Sequence, residues 1–151
     1  MIEEIIYFEP RHAIEIHDSI LKESGGLPGI KDKGTLESLL EHLKNDLYYP
    51  TFEIKVTRLV FAITKFHTFM DGNKRSAIGL GTFFLNINDY EYCTDTFIEE
   101  MENIVLWTAS GLISEELLLE VVTSIINNDC LTDTVKLKLI EIENIHENML
   151  N

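Results

Sequence analysis

Nine consecutive residues, His67-Thr68-Phe69-Met70-Asp71-Gly72-Asn73-Lys74-Arg75, gather more chemically useful side chains than any other stretch of this chain. His67 has a ring nitrogen able to take a proton near neutral pH, which suits a general base acting on a hydroxyl. Asp71 is an oxygen ligand of the kind Mg²⁺ takes when it also holds substrate phosphates. Gly72 permits a positive φ or a close backbone approach, so that successive amides can form an anion nest. Asn73 can donate to a phosphate oxygen or pin the loop. Lys74 and Arg75 add two full positive charges just where an apolar helix begins. Cations are disfavoured at a helix start, because the unpaired amides and the dipole already make it positive. That conflict with a local rule marks a site meant to hold an anion. A base, a metal ligand, an amide nest and two cations together describe phosphoryl or nucleotidyl transfer.

The elements that must position this loop are helical. Pro10 opens a helix whose Ala13, Ile14, Ile16, His17, Ile20 and Leu21 supply an apolar face, ended by Gly25-Gly26. The stretch from Gly26 to Gly29 is a turn by composition. Asp32 or Thr35 caps a second helix carrying Leu36, Leu39, Leu40 and Leu43. Residues 45–52, with Tyr48-Tyr49-Pro50, read as a loop or a short irregular hairpin. A third helix is expected over about 53–66, and a fourth, buried nearly all round, follows the loop. Gly79 and Gly81 within it cost helix propensity and imply close packing. Three more helices are expected: Asp95 or Thr96 to about Ser110, Ser114 to about Asn127, and Thr132 to Met149. Residues 2–8 alternate as a short strand does, and Tyr90 to Cys93 reads as a short extended piece. The expectation is an all-α, compact helical bundle with one or two minor β-strands. It forms a single domain over 1–151, with a core of about 5–127 and an extra C-terminal helix over 130–151.

Composition narrows the function classes. The 151 residues hold 12 basic and 26 acidic side chains, a formal charge of −14. A general nucleic-acid binder needs a basic face, so this balance argues against one. Residues 55–75 are the exception, with Lys55, Arg58, Lys65, Lys74 and Arg75 against Asp71 alone. Such a positive island reads as one confined anion site, or else as a solvated helix face for Lys55, Arg58 and Lys65. Cys93 and Cys130 form no metal or redox motif. His12 and His17 lack a third ligand, so the helix surface is their default place, and Trp107 is expected in the core. The start, Met1 to Pro10, is no signal peptide, and no apolar run is long enough to cross a bilayer. The chain is expected to be soluble and cytoplasmic.

The pattern H-x-F-x-D-G-N-K-R resembles the signature of the Fic/Doc family, and the lysine before the arginine is the form seen in its Doc (death on curing) toxins. Gly26-Leu27-Pro28-Gly29-Ile30 with Asp32 and the leucine-rich helix also resemble that group. So does the apolar helix with Phe83, Phe84 and Leu85. The resemblance covers residues 5–127 and implies a Fic fold. It further implies transfer of phosphate from ATP (or another nucleoside triphosphate) with Mg²⁺ to a threonine of elongation factor Tu. A partner antitoxin would hold such a toxin inactive, and no nucleic acid or membrane is implied.

Carried over position by position, His67 is the base and Asp71 holds Mg²⁺ and orients the nucleophile. Gly72 and Asn73 form the anion hole, while Lys74 and Arg75 grip the nucleotide phosphates. Residues 45–52 lie where the family has a flap that aligns the target segment.

Family members that transfer AMP resemble H-P-F-x-x-G-N-G-R followed by a second arginine. Here Thr68 replaces proline, Lys74 replaces glycine, and Ser76-Ala77-Ile78 contains no arginine. These departures favour a protein kinase over the alternative, an adenylyltransferase attaching AMP or another nucleotide. A non-catalytic interaction module is the third reading. The family's inhibitory pattern, [S/T]-x-x-x-E-[G/N], has no full match. Its nearest approach is Leu139 to Asn144, with Glu143, which lacks the serine or threonine.

Overall fold

The computed structural model describes residues 4–151. Among these, seven α-helices follow one another: α1 (Pro10–Ser24), α2 (Lys33–His42), α3 (Phe52–Phe66), α4 (Asn73–Ile87), α5 (Thr94–Ala109), α6 (Glu115–Asn128) and α7 (Asp133–Leu150). Local chemistry accounts for several of their starts. Asp32, Thr51, Ser114 and Thr132 each accept an amide N–H three residues on, at α2, α3, α6 and α7 respectively. Pro10 begins α1, where its missing N–H costs nothing.

Helices α3 and α4 form the centre of the bundle: α5 packs on both, α1 lies across α4, α2 meets α3, α6 covers α3 and α5, and α7 lies against α6. The core is built from Val56, Leu59 and Ile63 of α3, Leu80 and Phe84 of α4, Phe97 and Met101 of α5 and Val121 of α6, all fully buried. Each such side chain stabilises the fold by about 1.5–3 kcal/mol. The site loop spans the gap from α3 to α4, so the two most deeply packed helices hold both its ends.

The glycines expected to mark close packing do so. A Cβ at Gly81 would stand 2.7 Å from Cζ of Phe97 and 3.1 Å from Val60, and one at Gly79 would stand 3.0 Å from Ile20. Alanine normally gains up to about 1 kcal/mol over glycine inside a helix. At Gly81 the opposing overpacking cost is about 1–3 kcal/mol, because the Phe97 ring is itself fully buried and has nowhere to turn. Gly81→Ala is therefore expected to destabilise, read as a lower urea midpoint with an unchanged slope.

The all-α expectation holds, but among the described residues strand content falls to one antiparallel bridge, between Ile30 and Phe69. Residues 2 and 3 of the expected first strand lie outside the described residues, and residues 4–9 form no ladder. The side-chain amide of Asn88 supplies what a neighbouring strand would. Its Oδ1 accepts from the Ile6 N–H at 2.8 Å and its Nδ2 donates to the Ile6 carbonyl at 2.9 Å. The expected extended piece at Tyr90 to Cys93 is instead a turn of 3-10 helix, Glu91–Cys93, leading into α5. Trp107 is in the core, while of the two thiols Cys93 is buried and Cys130 exposed. No helix among the described residues is long and apolar enough to cross a membrane.

Candidate active site

Helix α3 stops because His67, its C-cap, takes the left-handed conformation, φ 50° and ψ 55°. Histidine visits this region more readily than most residues, yet the conformation still carries strain of the kind found at functional sites. The turn leaves the imidazole exposed beside the loop. Phe69 then plunges inward, fully buried as expected, and anchors the loop to the core. Gly72 is the N-cap of α4 at φ 73°, and no side chain caps that helix. The first amide bond there runs from Ser76 N–H to the Gly72 carbonyl at 2.8 Å, so the Asn73, Lys74 and Arg75 amides precede all intrahelical bonding.

One cavity of about 450 Å³ is lined by His67, Met70, Asp71, Gly72, Asn73, Lys74 and Arg75, with Thr64 and Ala109 behind them. All six residues expected at the site therefore meet in one place. Lys74 is exposed and has no partner among the described residues. Arg75 is tethered: its Nη1 donates to Ser24 Oγ and, at 3.3 Å, to the Gly25 carbonyl at the end of α1. Its Nη2 lies 3.4 Å from where a Cβ on Gly72 would stand, so the guanidinium overlies the glycine.

Asn73 performs the pinning role. Its Oδ1 accepts from the Phe69 N–H at 2.8 Å and its Nδ2 donates to the Phe69 carbonyl at 2.9 Å, closing the loop on itself. Asn73→Ala is expected to cost about 1–3 kcal/mol, since it leaves both Phe69 backbone groups unpaired. Faster amide exchange confined to residues 68–72 checks this.

The carboxylate of Asp71 accepts from the Leu27 N–H at 3.1 Å and the Gly72 N–H at 2.8 Å. These bonds, first Leu27 and then Gly72, hold its pKa below the usual aspartate value, with the nearby Arg75 and His17 adding to the effect. Each oxygen keeps a lone pair directed elsewhere. No group of three or more His, Cys, Asp or Glu suited to a metal occurs among the described residues. Asp71 can thus contribute one ligand to a cation held mainly by phosphates, the arrangement Mg²⁺ tolerates.

Three features of the site escaped sequence reasoning. His17 is not on the helix surface: it is 1% exposed, stacks on Phe69 with ring centroids 4.0 Å apart, and bonds through Nε2 to the Asp71 carbonyl at 2.8 Å. A carbonyl only accepts, so Nε2 carries the proton. The signal was present, for His17 falls on the apolar stripe with Ala13 and Leu21. The Gly25 to Lys31 segment is the second, bonded to the loop by Lys31 N–H to the Thr68 carbonyl and Met70 N–H to the Gly29 carbonyl, each at 3.1 Å.

The third concerns the positive island. Lys55 is fully buried, donating to the Leu43 carbonyl at 2.6 Å and Asp46 at 2.9 Å. Arg58 pairs with Glu115 at 2.8 Å. Both are engaged away from the cavity, so Lys74 and Arg75 supply its positive charge. Glu143, by contrast, lines a shallow recess with Trp107 and Leu139 and is not among the residues of the site cavity.

Comparison with known proteins covers the same stretch of chain. A model of the Fic/DOC family matches residues 7–85, just over half of the chain and the whole stretch from α1 through the loop into α4. The chain is similar to "Protein kinase doc" of Escherichia phage P1, 30% identical over 112 residues that cover 72% of this chain and 86% of the relative. It is also similar to "Toxin Doc" of Mycolicibacterium smegmatis, 27% identical over 85 residues, 54% of this chain and 65% of that one. With the motif loop, its supporting helices and these relatives in agreement, the chain belongs to the Fic/DOC family.

Proposed function

We propose that the chain is a Doc-like toxin that transfers the γ-phosphate of a nucleoside triphosphate, ATP in the first instance, to a hydroxyl of a target protein. The observation that carries this reading is the single cavity in which an exposed imidazole faces the uncapped start of α4 and two cations. The relatives named as a protein kinase and a toxin support the same choice. Departures from the AMP-transferring pattern at Thr68, Lys74 and Ser76 to Ile78 point the same way. A translation factor such as elongation factor Tu is the proposed acceptor, and a separate antitoxin the proposed regulator.

His67 takes the proton from the acceptor hydroxyl, whose oxygen forms the new bond to the γ-phosphorus. The bond from that phosphorus to the β–γ bridging oxygen breaks, and the nucleoside diphosphate leaves with its electron pair. Gly72, the amides that follow it and the side chains of Lys74 and Arg75 receive the charge on the phosphoryl oxygens. Asp71 would hold Mg²⁺, which when bound neutralises phosphate charge. The Asn73 pin and the His17–Phe69 stack keep base and amides in register.

Incubation with Mg²⁺, a bacterial extract and ATP labelled on the α or the γ phosphate tests the proposal. Protein labelling from γ alone is the expected outcome. Labelling from α instead means nucleotide attachment, and labelling from neither overturns the enzymatic reading.

A further inference from the structure

Three buried side-chain hydroxyls among the described residues have no hydrogen-bond partner, those of Thr64, Thr68 and Ser76. All three lie in or beside the loop that carries His67 and Gly72. A buried polar group left unpaired is costly and calls for a reason. Of the three, Thr64 borders the site cavity, whereas Thr68 faces the cleft between α2 and α3 and Ser76 is not among the cavity's residues. Thr64 is 1% exposed and stands with Ala109 at the back of that cavity.

Other threonines show what a helical hydroxyl does when the helix alone decides. Thr57, two turns earlier on the same face of α3, donates to the Glu53 carbonyl at 2.7 Å. Thr82 and Thr108 likewise donate one turn back, to Ile78 at 2.8 Å and to Ile104 at 2.7 Å. The carbonyl of Val60 stands in the same relation to Thr64, yet that bond is not made. The hydroxyl is left for a ligand in the cavity it borders.

Placement on α3 says which part of the ligand. Thr64 precedes His67 by three residues, so their side chains start about 5–6 Å apart on one side of the helix. An imidazole that strips the acceptor hydroxyl stands within about 3 Å of it, and the γ-phosphorus is the next neighbour of that oxygen. The acceptor arrives from solvent, on the exposed side of His67. Buried Thr64 is reached by a group already seated inside, and the group inside next to His67 is the terminal phosphoryl.

We infer that Thr64 is a further substrate-binding residue, its hydroxyl donating to an oxygen of the γ-phosphoryl group. It adds a neutral donor to the cations of Lys74 and Arg75 and the first amides of α4. The inference rests on the phosphotransfer reading above, which puts the γ-phosphorus beside His67.

Thr64→Val keeps the shape and removes the hydroxyl, Thr64→Ser keeps the hydroxyl, and Thr57→Val is the matched control on the same helix. MgATP and MgADP affinities are read by calorimetry, with the initial rate of γ-label transfer into extract protein and the urea midpoint beside them. Thr64→Val is expected to weaken MgATP about tenfold or more, the worth of a hydrogen bond to a charged group. MgADP affinity is expected to stay unchanged, transfer to slow, and Thr64→Ser to restore both MgATP affinity and rate. The midpoint of Thr64→Val is expected at or above that of the wild-type chain, since no bond among the described residues is lost. Thr57→Val, which loses one, is expected to fall in midpoint and keep both affinities. Thr64→Ala repeats the test should valine crowd the wall.

Unchanged MgATP affinity in Thr64→Val and Thr64→Ala overturns the inference. So does an equal fall for MgADP, which puts the contact elsewhere on the nucleotide, or a serine variant as weak as the valine one, which makes the effect one of packing. A wild-type chain that binds MgATP but transfers no γ-label overturns the phosphotransfer reading, while the difference between MgATP and MgADP still decides the contact.

Discussion

His67→Ala is expected to slow phosphoryl transfer by about 10²–10⁴-fold, the usual worth of a positioned general base, while the fold and the nucleotide affinity stay near those of the wild-type chain. The structure allows that separation. The imidazole is exposed and makes no hydrogen bond among the described residues, so its loss opens no core cavity and orphans no buried group there. Alanine in the left-handed conformation at this C-cap adds strain of about 1 kcal/mol, too little to unfold a bundle of this size. The groups proposed to hold phosphates are also untouched: Lys74, Arg75 and the uncapped amides of α4 remain.

Single-turnover transfer of γ-label, set beside calorimetric MgATP binding, measures both halves of the expectation. A variant that transfers at the wild-type rate would remove His67 from the chemistry. One that loses nucleotide affinity and transfer together would make it a binding residue instead. Growth arrest on expression, relieved by the same substitution, extends the test to the proposed toxicity.

The loop was legible because it breaks local rules. Two cations at a helix start, a glycine before them and a lone phenylalanine between polar positions each conflict with the adjoining periodic pattern, and each has a structural reason. Helix limits were legible for the same local reasons, through Pro10, Asp32, Ser114 and Thr132. What could not be read depends on partners far away in sequence. Asp71 meets Leu27 across 44 positions, His17 meets Asp71 across 54, and Arg58 meets Glu115 across 57. No periodicity encodes which pairs meet. Over residues 4–8 the strand expectation failed for a related reason: alternation marks an extended segment, but not whether a strand or the side chain of Asn88 pairs with it.

Lys55 shows how such a partner changes an expected outcome. As a surface cation on α3 it would be replaceable at almost no cost. As found, Lys55 is fully buried, and its ammonium donates to the Leu43 carbonyl and to Asp46 and stands 5.7 Å from the centre of the Tyr7 ring. Leu43 is the C-cap of α2, so the lysine supplies positive charge where that helix end is negative. It thereby fixes the root of the 45–52 loop, whose far end is held by Phe52 stacked on Tyr90 at 4.6 Å.

Two substitutions separate packing from charge. Lys55→Met keeps most of the side-chain volume and orphans chiefly the Leu43 carbonyl, because Asp46 is 77% exposed and stays solvated without its partner. A loss of about 1–3 kcal/mol is expected, the cost of one buried acceptor left unmade. Lys55→Ala adds a cavity among Tyr7, Leu43 and α3, and by analogy with large-to-small core changes about 2–5 kcal/mol is expected in total. Urea unfolding orders the two, and in Lys55→Met faster amide exchange is expected at residues 44–49 but not at residues 67–75. If both variants match the wild-type midpoint, the ammonium is not buried in solution and the loop root is held by something else. If exchange rises equally at the site loop, Lys55 supports the whole α2–α3 corner and not the loop alone.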